Sequence, residues 1–501
     1  MIVEILQTIF NSITPWTFVL CVLGSILGII FGAIPGLNGT VGVAMLLPIT
    51  YTLSPSDGLI MLSSIYMGST YGGSISAILL GVPGTGEAAC TSLDGAPLAK
   101  SGRACESLYY SIFASTLGGI FGTVVMIFFT KKLADVALKF SDAEMFLMCV
   151  AGLAVVSGLV GKNIWKGILS CSIGLLLACV GLDGYTSSIR FTYGIGGLRA
   201  GIKLVPVMVG LFAITEMLTL LAGKDQNVTP GEVPQMTGAM AALKTTLRHW
   251  TTLLKTGIIG TIIGILPGTG GSVASFIAYG TAKSAKKKLD PTPFGKGNID
   301  GVLAPECANN AAVGGSYVPL LALGIPGSAT SAIMYGAMCV HGLNPGPELF
   351  SKNADLVYTF MFGMVLAVIC MCVFGAGGVK LFAQILRVKV KYIVPVVLVF
   401  SLIGAYSVNN KIFDVVIALI FGVVGLIFKR FHIPVAPCVL GLILGSMGEK
   451  YLRYCITEAA AAEVDIFRFI VFRPLSIAVI VFIGLILYMN VKSHAQSVAD
   501  D

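Results

Sequence analysis

Apolar stretches recur from one end of this chain to the other, and each has the length of about 18 to 25 residues that a helix needs to cross a bilayer. Clear examples are residues 107–129, 142–160, 204–222, 354–378, 412–428 and 470–490. Charged residues make up only 11% of the sequence. Soluble domains average about 25%, so this chain has too little charge to cover a water-exposed surface. The pattern predicts an all-α, multi-pass integral membrane protein.

Several other function classes are disfavoured. The net charge of +8 arises in short basic loops between the apolar stretches, where Lys and Arg act as topology signals. No basic patch carries interleaved aromatic residues, so no nucleic-acid partner is expected. The cysteines form no CxxC pair and no zinc-type cluster, so no metal site is predicted. No nucleophile–base motif or P-loop motif occurs, which predicts no catalytic residues, no enzymatic activity and no use of ATP.

Four apolar stretches are interrupted by Pro-Gly followed at once by small polar residues. We call these the first to fourth breaks, at residues 32–40, 81–87, 264–272 and 324–328. The first and third share G-x-x-P-G-x-x-G and lie 232 residues apart, and the second and fourth share G-[VI]-P-G-[TS] and lie 243 residues apart. Two matched pairs in the same order predict an internal duplication.

The duplication divides the chain into two repeats, each with two breaks followed by four spans. We predict repeat 1 at residues 1–223, a linker at 224–250, repeat 2 at 251–449 and a C-terminal span and tail at 450–501. The loop after the first break has no Lys or Arg, whereas its counterpart at 283–296 has five lysines. The positive-inside rule then places the two loops on opposite sides, as inverted repeats require. Other loops are basic in both halves, so loop charge favours inversion without establishing it.

The breaks have a chemistry suited to anions. Proline and glycine end a helix, and broken backbone at membrane depth survives only beside protein or a water-filled cavity. A residue of N-cap type follows each break and restarts a helix, whose free N–H groups and positive dipole end face the break. The predicted substrate-binding residues are Gly36, Asn38, Gly39, Thr40, Gly84, Thr85, Gly86, Gly268, Thr269, Gly270, Gly271, Ser272, Gly327 and Ser328. The alternative is that Pro-Gly only marks loops at the ends of spans.

Residues 304–316 form the densest small-polar patch near an apolar span. Asn309 and Asn310 offer carbonyl oxygens that suit Na⁺, and Ser74 and Ser316 are added to them as predicted ion-binding residues. The alternative is hydrogen bonding between helices. Glu306, in the same patch, is expected either in this site or at the cytoplasmic interface, and Glu87 is read as a partner of a helix dipole.

Long strings of this sequence resemble one membrane family. They are GAIPGLNGT, GVPGTGEAACTSLDGAPLAKSGRA, GILPGTGGS and PECANNAAVGGSYVPLLALGIPGSATSAI. These strings, spread between about Gly24 and Glu449, resemble the large membrane subunit of tripartite tricarboxylate transporters, the TctA-type family. One departure is Glu87-Ala-Ala-Cys90, where the family often has a Pro-Ala-rich run, and it puts the exact substrate in doubt.

The resemblance implies a cation-coupled secondary transporter for citrate or related carboxylates, located in the inner membrane and working by an elevator motion. It implies a small membrane subunit (TctB-type) and an extracytoplasmic solute-binding protein (TctC-type) as partners. No organic cofactor is expected, and Na⁺ or H⁺ would be the coupling ion. Three alternatives stay open: a carrier for another organic anion that works without a binding protein, a non-transporting membrane scaffold, and a channel.

Overall fold

The computed structural model describes residues 14–156, 164–183, 186–222, 238–266, 270–285, 289–378, 381–382, 384, 390–481 and 483–484. The predicted all-α membrane architecture is confirmed, because within these ranges five helical segments are long and apolar enough to span a bilayer. These segments are Pro15–Ala33, Thr91–Ala137, Leu204–Ala222, Ala354–Gly377 and Ile412–Arg430. Residues 224–237 of the predicted linker lie outside the described residues, as do residues 485–501 and part of the predicted span at 470–490.

The first half of the chain, before residue 223, begins with a broken hairpin and continues into longer helices. Its helices are α1 (Pro15–Ala33), α2 (Gly39–Leu46), α3 (Pro55–Leu80), α4 (Thr91–Leu98), α5 (Ala104–Ala137), α6 (Asp142–Val156), α7 (Ile164–Ala178), α8 (Leu204–Met208) and α9 (Thr215–Ala222). A 3₁₀ turn at Gly86–Ala88 precedes α4, and a π-helical segment at Val209–Ile214 joins α8 to α9. Strands β1 (Gly181–Leu182) and β2 (Ile189–Arg190) form an antiparallel ribbon between α7 and α8.

The second half, after residue 237, also combines short and long helices. Its helices are α10 (Ala239–Arg248), α11 (Trp250–Ile265), α12 (Gly270–Lys283), α13 (Ile299–Leu323), α14 (Ala329–Val340), α15 (Leu349–Lys352), α16 (Ala354–Gly377), α17 (Val390–Ser407), α18 (Ile412–Arg430), α19 (Ala436–Ala461) and α20 (Ile466–Val471).

Helices end and restart at the breaks for local reasons. α3 ends at Gly81 and α13 at Gly324, both in the left-handed conformation that glycine adopts at helix C-termini (φ 70° and 73°). Asn38 caps α2 by accepting the Val41 N–H at 2.9 Å. Ser328 caps α14 in a reciprocal capping box with Ser331. Two of the four breaks therefore restart a helix with the side-chain cap that the polar residues after Pro-Gly predict. At the second break the prediction is wrong, because Thr85 makes no capping hydrogen bond and precedes only a 3₁₀ turn. At the third, the cap itself lies outside the described residues.

Two close backbone contacts hold the breaks in place. A Cβ atom on Gly84 would lie 2.1 Å from the Gly32 carbonyl oxygen, and one on Gly327 would lie 2.5 Å from the Gly264 carbonyl oxygen. Glycine is needed at Gly84 and Gly327 because only hydrogen fits against the opposing carbonyl. The two contacts join equivalent motifs of the two halves. They agree with an internal duplication, which stays a prediction.

The two halves share one core and are not separate domains. Helix α5 of the first half packs on α13 of the second, and α16 of the second half packs on α3 of the first. At Gly118 a Cβ would lie 2.0 Å from the Cys307 carbonyl oxygen, which shows how closely α5 approaches α13. This exchange places the breaks of both halves around one region of the molecule.

Candidate functional site

All four breaks contribute to one cavity of about 310 Å³. We call it the break cavity. Its lining residues are Asn38, Gly39, Thr40, Tyr66, Thr85, Gly86, Glu87, Gly270, Gly271, Ser272, Ser328, Ala329, Thr330, Ala436 and Leu440. Segments far apart in the sequence thus meet at one place, as re-entrant helices from two halves require.

The starts of α2 and α14 face each other across this cavity. The hydroxyl oxygens of Thr40 and Thr330, one in the first turn of each helix, lie 2.8 Å apart. The phenol oxygen of Tyr66, from α3, lies 3.0 Å from the Ser328 hydroxyl. Ser328 and Thr330 are more than nine-tenths buried. This side of the cavity therefore presents hydroxyl groups and helical N–H groups in a largely desolvated setting.

Helix α12 brings a third N-terminus to the cavity, and a carboxylate lies beside it. Gly270, Gly271 and Ser272 form the first turn of α12. A Cβ on Gly271 would lie 3.2 Å from Oε1 of Glu87. Glu87 belongs to the 3₁₀ turn at Gly86–Ala88, so its contact with α12 is a contact between the second and third breaks.

The electrostatic character of the cavity follows from these parts. Helix N-termini carry a partial positive charge, equivalent to roughly half an elementary charge each, and three of them open here. Among the described residues that line the cavity, none is Lys, Arg or His, and Glu87 is the one with a carboxyl group. The cavity can offer backbone and hydroxyl donors to an anion, and one carboxylate to a cation.

The structure places nine of the predicted substrate residues on the cavity wall. They are Asn38, Gly39, Thr40, Thr85, Gly86, Gly270, Gly271, Ser272 and Ser328. Three others lie behind the wall. Gly84 and Gly327 pack against backbone carbonyls, and Gly36 (φ 88°) packs against the Leu220 side chain of α9. Gly268 and Thr269 lie outside the described residues.

The predicted ion-binding residues lie elsewhere. Asn309 and Asn310 are fully buried in α13, and the Asn310 amide donates to Oδ1 of Asn309 at 2.7 Å. Ser316 donates to the Val313 carbonyl at 2.8 Å. None of the four predicted residues lines the break cavity in the described part of the chain. Within that part, Oδ1 of Asn310 is buried without a hydrogen-bond partner.

Glu306 is the centre of a buried hydroxyl cluster. Its carboxylate accepts hydrogen bonds from Ser74 (2.5 Å), Ser111 (3.0 Å), Ser115 (2.8 Å) and Thr91. These donors come from α3, α4 and α5, and Glu306 itself is fully buried on α13. Glu306 is therefore enclosed by protein, and the alternative of a position at the cytoplasmic interface stays a prediction. The carboxylate is satisfied by four donors from the first half of the chain, so Ser74 is occupied by this contact.

Sequence reasoning missed two polar residues of the cavity wall and underrated a third. Tyr66 and Thr330 carry no motif, because each is a single polar residue in an apolar helix. Glu87 was assigned only to its own helix start, whereas the structure places it against α12, almost 200 residues away. The signal for Thr330 was its place two residues after the Ser328 cap.

A second, larger cavity of about 570 Å³ lies beside α20 and is lined by Val464, Arg468, Phe469, Phe472 and Arg473. It contains no break residue. The Arg473 guanidinium there hydrogen-bonds the Ser141 hydroxyl at 2.6 Å and pairs with Glu144 at 3.7 Å. This cavity is therefore not a candidate for the site that the breaks form.

The chain is similar to one protein family and to two proteins of Agrobacterium vitis. The family model described as "Tripartite tricarboxylate transporter TctA family" matches residues 18–440. An uncharacterized 52.8 kDa protein in the TAR-I ttuC′ 3′ region of Agrobacterium vitis is 36% identical over 443 residues, which is 88% of each chain. An uncharacterized protein in the TAR-II ttuC′ 3′ region of the same organism is 35% identical over 194 residues, 39% of this chain and 79% of that protein. No solved structure matches the chain.

Proposed function

The chain belongs to the tripartite tricarboxylate transporter TctA family, as its motifs predicted, and we propose that it is the permease subunit of a binding-protein-dependent secondary transporter. The cargo would be tricarboxylates or related carboxylates, and uptake would be coupled to Na⁺ or H⁺. The family is one of transporters and not of enzymes, and the apolar helices make the protein a multi-pass membrane protein. We place it in the inner membrane.

The break cavity is the observation that carries this proposal. Helices α2, α12 and α14 begin at its wall, and their N–H groups and dipoles favour a bound anion. The hydroxyls of Thr40, Thr330 and Ser328 are within the same wall. Carboxylates are anions that accept several hydrogen bonds at once. A wall of hydrogen-bond donors, with no basic side chain among its described residues, therefore suits a carboxylate substrate that must bind and then dissociate.

The need for a cation follows from charge. A di- or tricarboxylate carries more negative charge than helix N-termini offset, and no described lining residue is basic. A cation that enters with the substrate lowers the cost of placing this charge in a low-dielectric site. Asn309, Asn310, Ser74 and Ser316 remain candidate ligands for it, since amide and hydroxyl oxygens suit Na⁺.

The transport cycle that we propose moves a transport domain that holds the broken hairpins of both repeats. The matched contacts of Gly84 with Gly32 and of Gly327 with Gly264 support an arrangement of two equivalent broken hairpins. Inverted repeats around a midplane site support alternating access. An elevator motion would carry the break cavity from one side of the membrane to the other.

Tripartite transporters have two further components, and we propose a TctB-type membrane subunit and a TctC-type solute-binding protein as partners. The decisive test is uptake into proteoliposomes that contain this chain and the small subunit, with the binding protein added outside. A panel of di- and tricarboxylates is offered under an imposed Na⁺ or pH gradient. We expect saturable uptake of at least one member only when both the binding protein and a cation gradient are present.

Other outcomes separate the alternatives. Uptake that does not require the binding protein identifies a self-sufficient carrier. Flux that is indifferent to both gradients identifies a channel. A protein that assembles with its partners but moves no member of the panel contradicts the proposed function and favours a scaffold.

A further inference from the structure

The Glu87 carboxylate lies in the break cavity, where a negative charge would repel the proposed carboxylate substrate. It lines the break cavity together with the starts of α2, α12 and α14. Its carboxylate lies at the first turn of α12, with Oε1 3.2 Å from the position that a Gly271 Cβ would occupy. Glu87 thus already occupies one of the anion-favouring helix ends of the cavity.

Among the described residues, no positively charged side chain pairs with the Glu87 carboxylate. The elements packed against its turn are α3, α12 and α13. Of their titratable side chains, Tyr66 and Glu306 interact with it electrostatically, and Tyr279 of α12 is hydrogen-bonded to Asp94. The nearby Thr70 hydroxyl donates to the Tyr66 backbone carbonyl at 3.0 Å. Glu306, in contrast, is fully buried and has four hydroxyl donors, whereas Glu87 is partly exposed, so the two carboxylates are not equivalent.

A polar atom without a partner lies on the same wall. Thr85 lines the cavity two residues before Glu87 and is 6% exposed, and its hydroxyl has no hydrogen-bond partner among the described residues. A buried hydroxyl is normally paired. Its oxygen and the Glu87 carboxylate are two ligand atoms of the type that a monovalent cation uses, and both lie beside the space open to the substrate.

Two negative charges a few ångströms apart repel strongly when water is scarce. A substrate carboxylate bound at the start of α12 would lie at this distance from Glu87, whose Oε1 is 3.2 Å from the position of a Gly271 Cβ. Neutralising Glu87 removes the repulsion and releases the α12 N-terminus for the substrate. Binding of the cation and binding of the anion then favour each other, which is the reciprocal coupling that symport requires.

We propose that Glu87 is the coupling residue: a monovalent cation neutralises its carboxylate within the break cavity, and only then does the carboxylate substrate bind. If the cation is H⁺, it is carried on a Glu87 oxygen and leaves on the other side. If it is Na⁺, it lies between Glu87, the Thr85 hydroxyl and the substrate. This inference rests on the proposed function, because it needs an anionic cargo.

The first experiment needs no substrate. The full chain is purified, and its thermal unfolding is followed in NaCl against choline chloride at constant ionic strength, and across pH 5 to 8. The wild type should be stabilised either by Na⁺ or by acidic pH, because a cation that binds the folded state stabilises it. Glu87→Gln, which is isosteric and neutral, should lose this response. Glu87→Asp should keep it, and Glu348→Gln, an exposed carboxylate paired with Lys352, is the matched control.

The second experiment measures coupling with whichever carboxylate of the uptake panel the wild type transports. Raising the cation from low to saturating concentration should tighten wild-type binding of this probe by about 5- to 150-fold, the usual range for coupled sites. In Glu87→Gln the affinity should not depend on the cation, and substrate exchange should persist without a gradient. Measuring the affinity once against Na⁺ concentration and once against pH identifies which cation acts.

The two proposals fail in different ways. If the wild type transports a carboxylate with a cation gradient but Glu87→Gln keeps its cation response and its coupling, the role of Glu87 is overturned while the function stands. A wild type that responds to neither cation also overturns it. If no carboxylate is moved by the wild type although Glu87→Gln abolishes a cation response, the proposed cargo fails and the cation site stands.

Discussion

The hydroxyl oxygens of Thr40 and Thr330 lie 2.8 Å apart, although 290 positions separate them in the chain. One begins a helix of the first half and the other a helix of the second, so the pair marks the point where the two halves meet at the break cavity. Each hydroxyl has one hydrogen, and a mutual bond uses only one of the two. The second hydrogen is available to a ligand that enters the cavity.

Replacing either threonine by the near-isosteric valine should weaken the substrate without unfolding the protein. A hydrogen bond to a charged group contributes about 1.5–3 kcal/mol, so Thr40→Val and Thr330→Val should each lower the uptake efficiency by roughly tenfold or more. The double variant should lose less than the product of the two, because the residues share one network. Initial uptake rates in proteoliposomes measure all four proteins.

Thr116→Val is the matched control for this pair. The Thr116 hydroxyl donates at 2.7 Å only to the Ile112 carbonyl of its own helix, α5, away from the cavity. Its uptake rate should stay near that of the wild type. Wild-type rates in both Thr40→Val and Thr330→Val would mean that the cavity wall does not contact the cargo.

The close contacts behind the wall should be sensitive to a single methyl group. A Cβ on Gly84 or Gly327 would meet a backbone carbonyl at 2.1 or 2.5 Å, which no side-chain rotation relieves. Gly84→Ala and Gly327→Ala should therefore destabilise the protein by about 1–3 kcal/mol, as overpacking does. Thermal unfolding in detergent measures the loss. Gly280→Ala in α12, where nothing lies within 4 Å of the new methyl group, should be neutral or slightly stabilising.

Features of the fold that depend on neighbouring residues in the sequence could be predicted. Features that depend on packing between distant helices could not. Asn38 and Ser328 could be identified as caps because a cap depends on its nearest neighbours in sequence. The matched breaks predicted that segments of both halves belong together. The partners of Glu306 come from three other helices, and no pattern in α13 itself specifies them. The assignment of Ser74 to a cation stays a prediction, but the hydrogen bond from its hydroxyl to Glu306 could not be foreseen from the sequence.

The helix that Glu87 contacts could not be predicted from the sequence for the same reason. The position of Glu87 after a Pro-Gly break suggested a helix start, where the structure has a 3₁₀ turn, and the helix that Glu87 contacts depends on how the second and third breaks pack. Periodicity could not have found Tyr66 either, since one face of α3 is as apolar as another and nearly all of the helix is buried.

The hydroxyl cluster around Glu306 predicts a stability effect distinct from the transport effects. Glu306→Ala leaves the hydroxyls of Ser74, Thr91, Ser111 and Ser115 buried without their acceptor, and each lost partner costs about 1–3 kcal/mol unless the group finds another. We expect a lower melting temperature and lower membrane abundance. The double variant Ser111→Ala/Ser115→Ala, which removes two donors and leaves two, should lose less. An unchanged melting temperature in Glu306→Ala would show that the cluster does not stabilise the fold.

The ion pairs beside the β-ribbon predict a stability that depends on pH. Arg190 donates to both oxygens of Glu449, at 2.6 and 3.1 Å, and Arg453 donates to Glu449 at 2.7 Å. The Arg190 hydrogen bond, with the Arg453 bond and both positive charges, outweighs partial burial and lowers the pKa of Glu449 below its usual value of 4.5. The group therefore stabilises the folded state above its unfolded pKa, and this contribution is lost as the pH falls through the lower folded pKa.

Glu449→Gln should test this contribution. At pH 7 the variant should be less stable by about 1–2 kcal/mol, because a partly buried, bidentate charged pair contributes more than an exposed one. Between pH 5 and 3 the wild type should lose its advantage and the two unfolding curves should converge. Glu348→Gln, whose pair with Lys352 is exposed, should differ little from the wild type at any pH. A difference between wild type and Glu449→Gln that stays constant down to pH 3 would show that the arginines act on Glu449 by packing and not by charge.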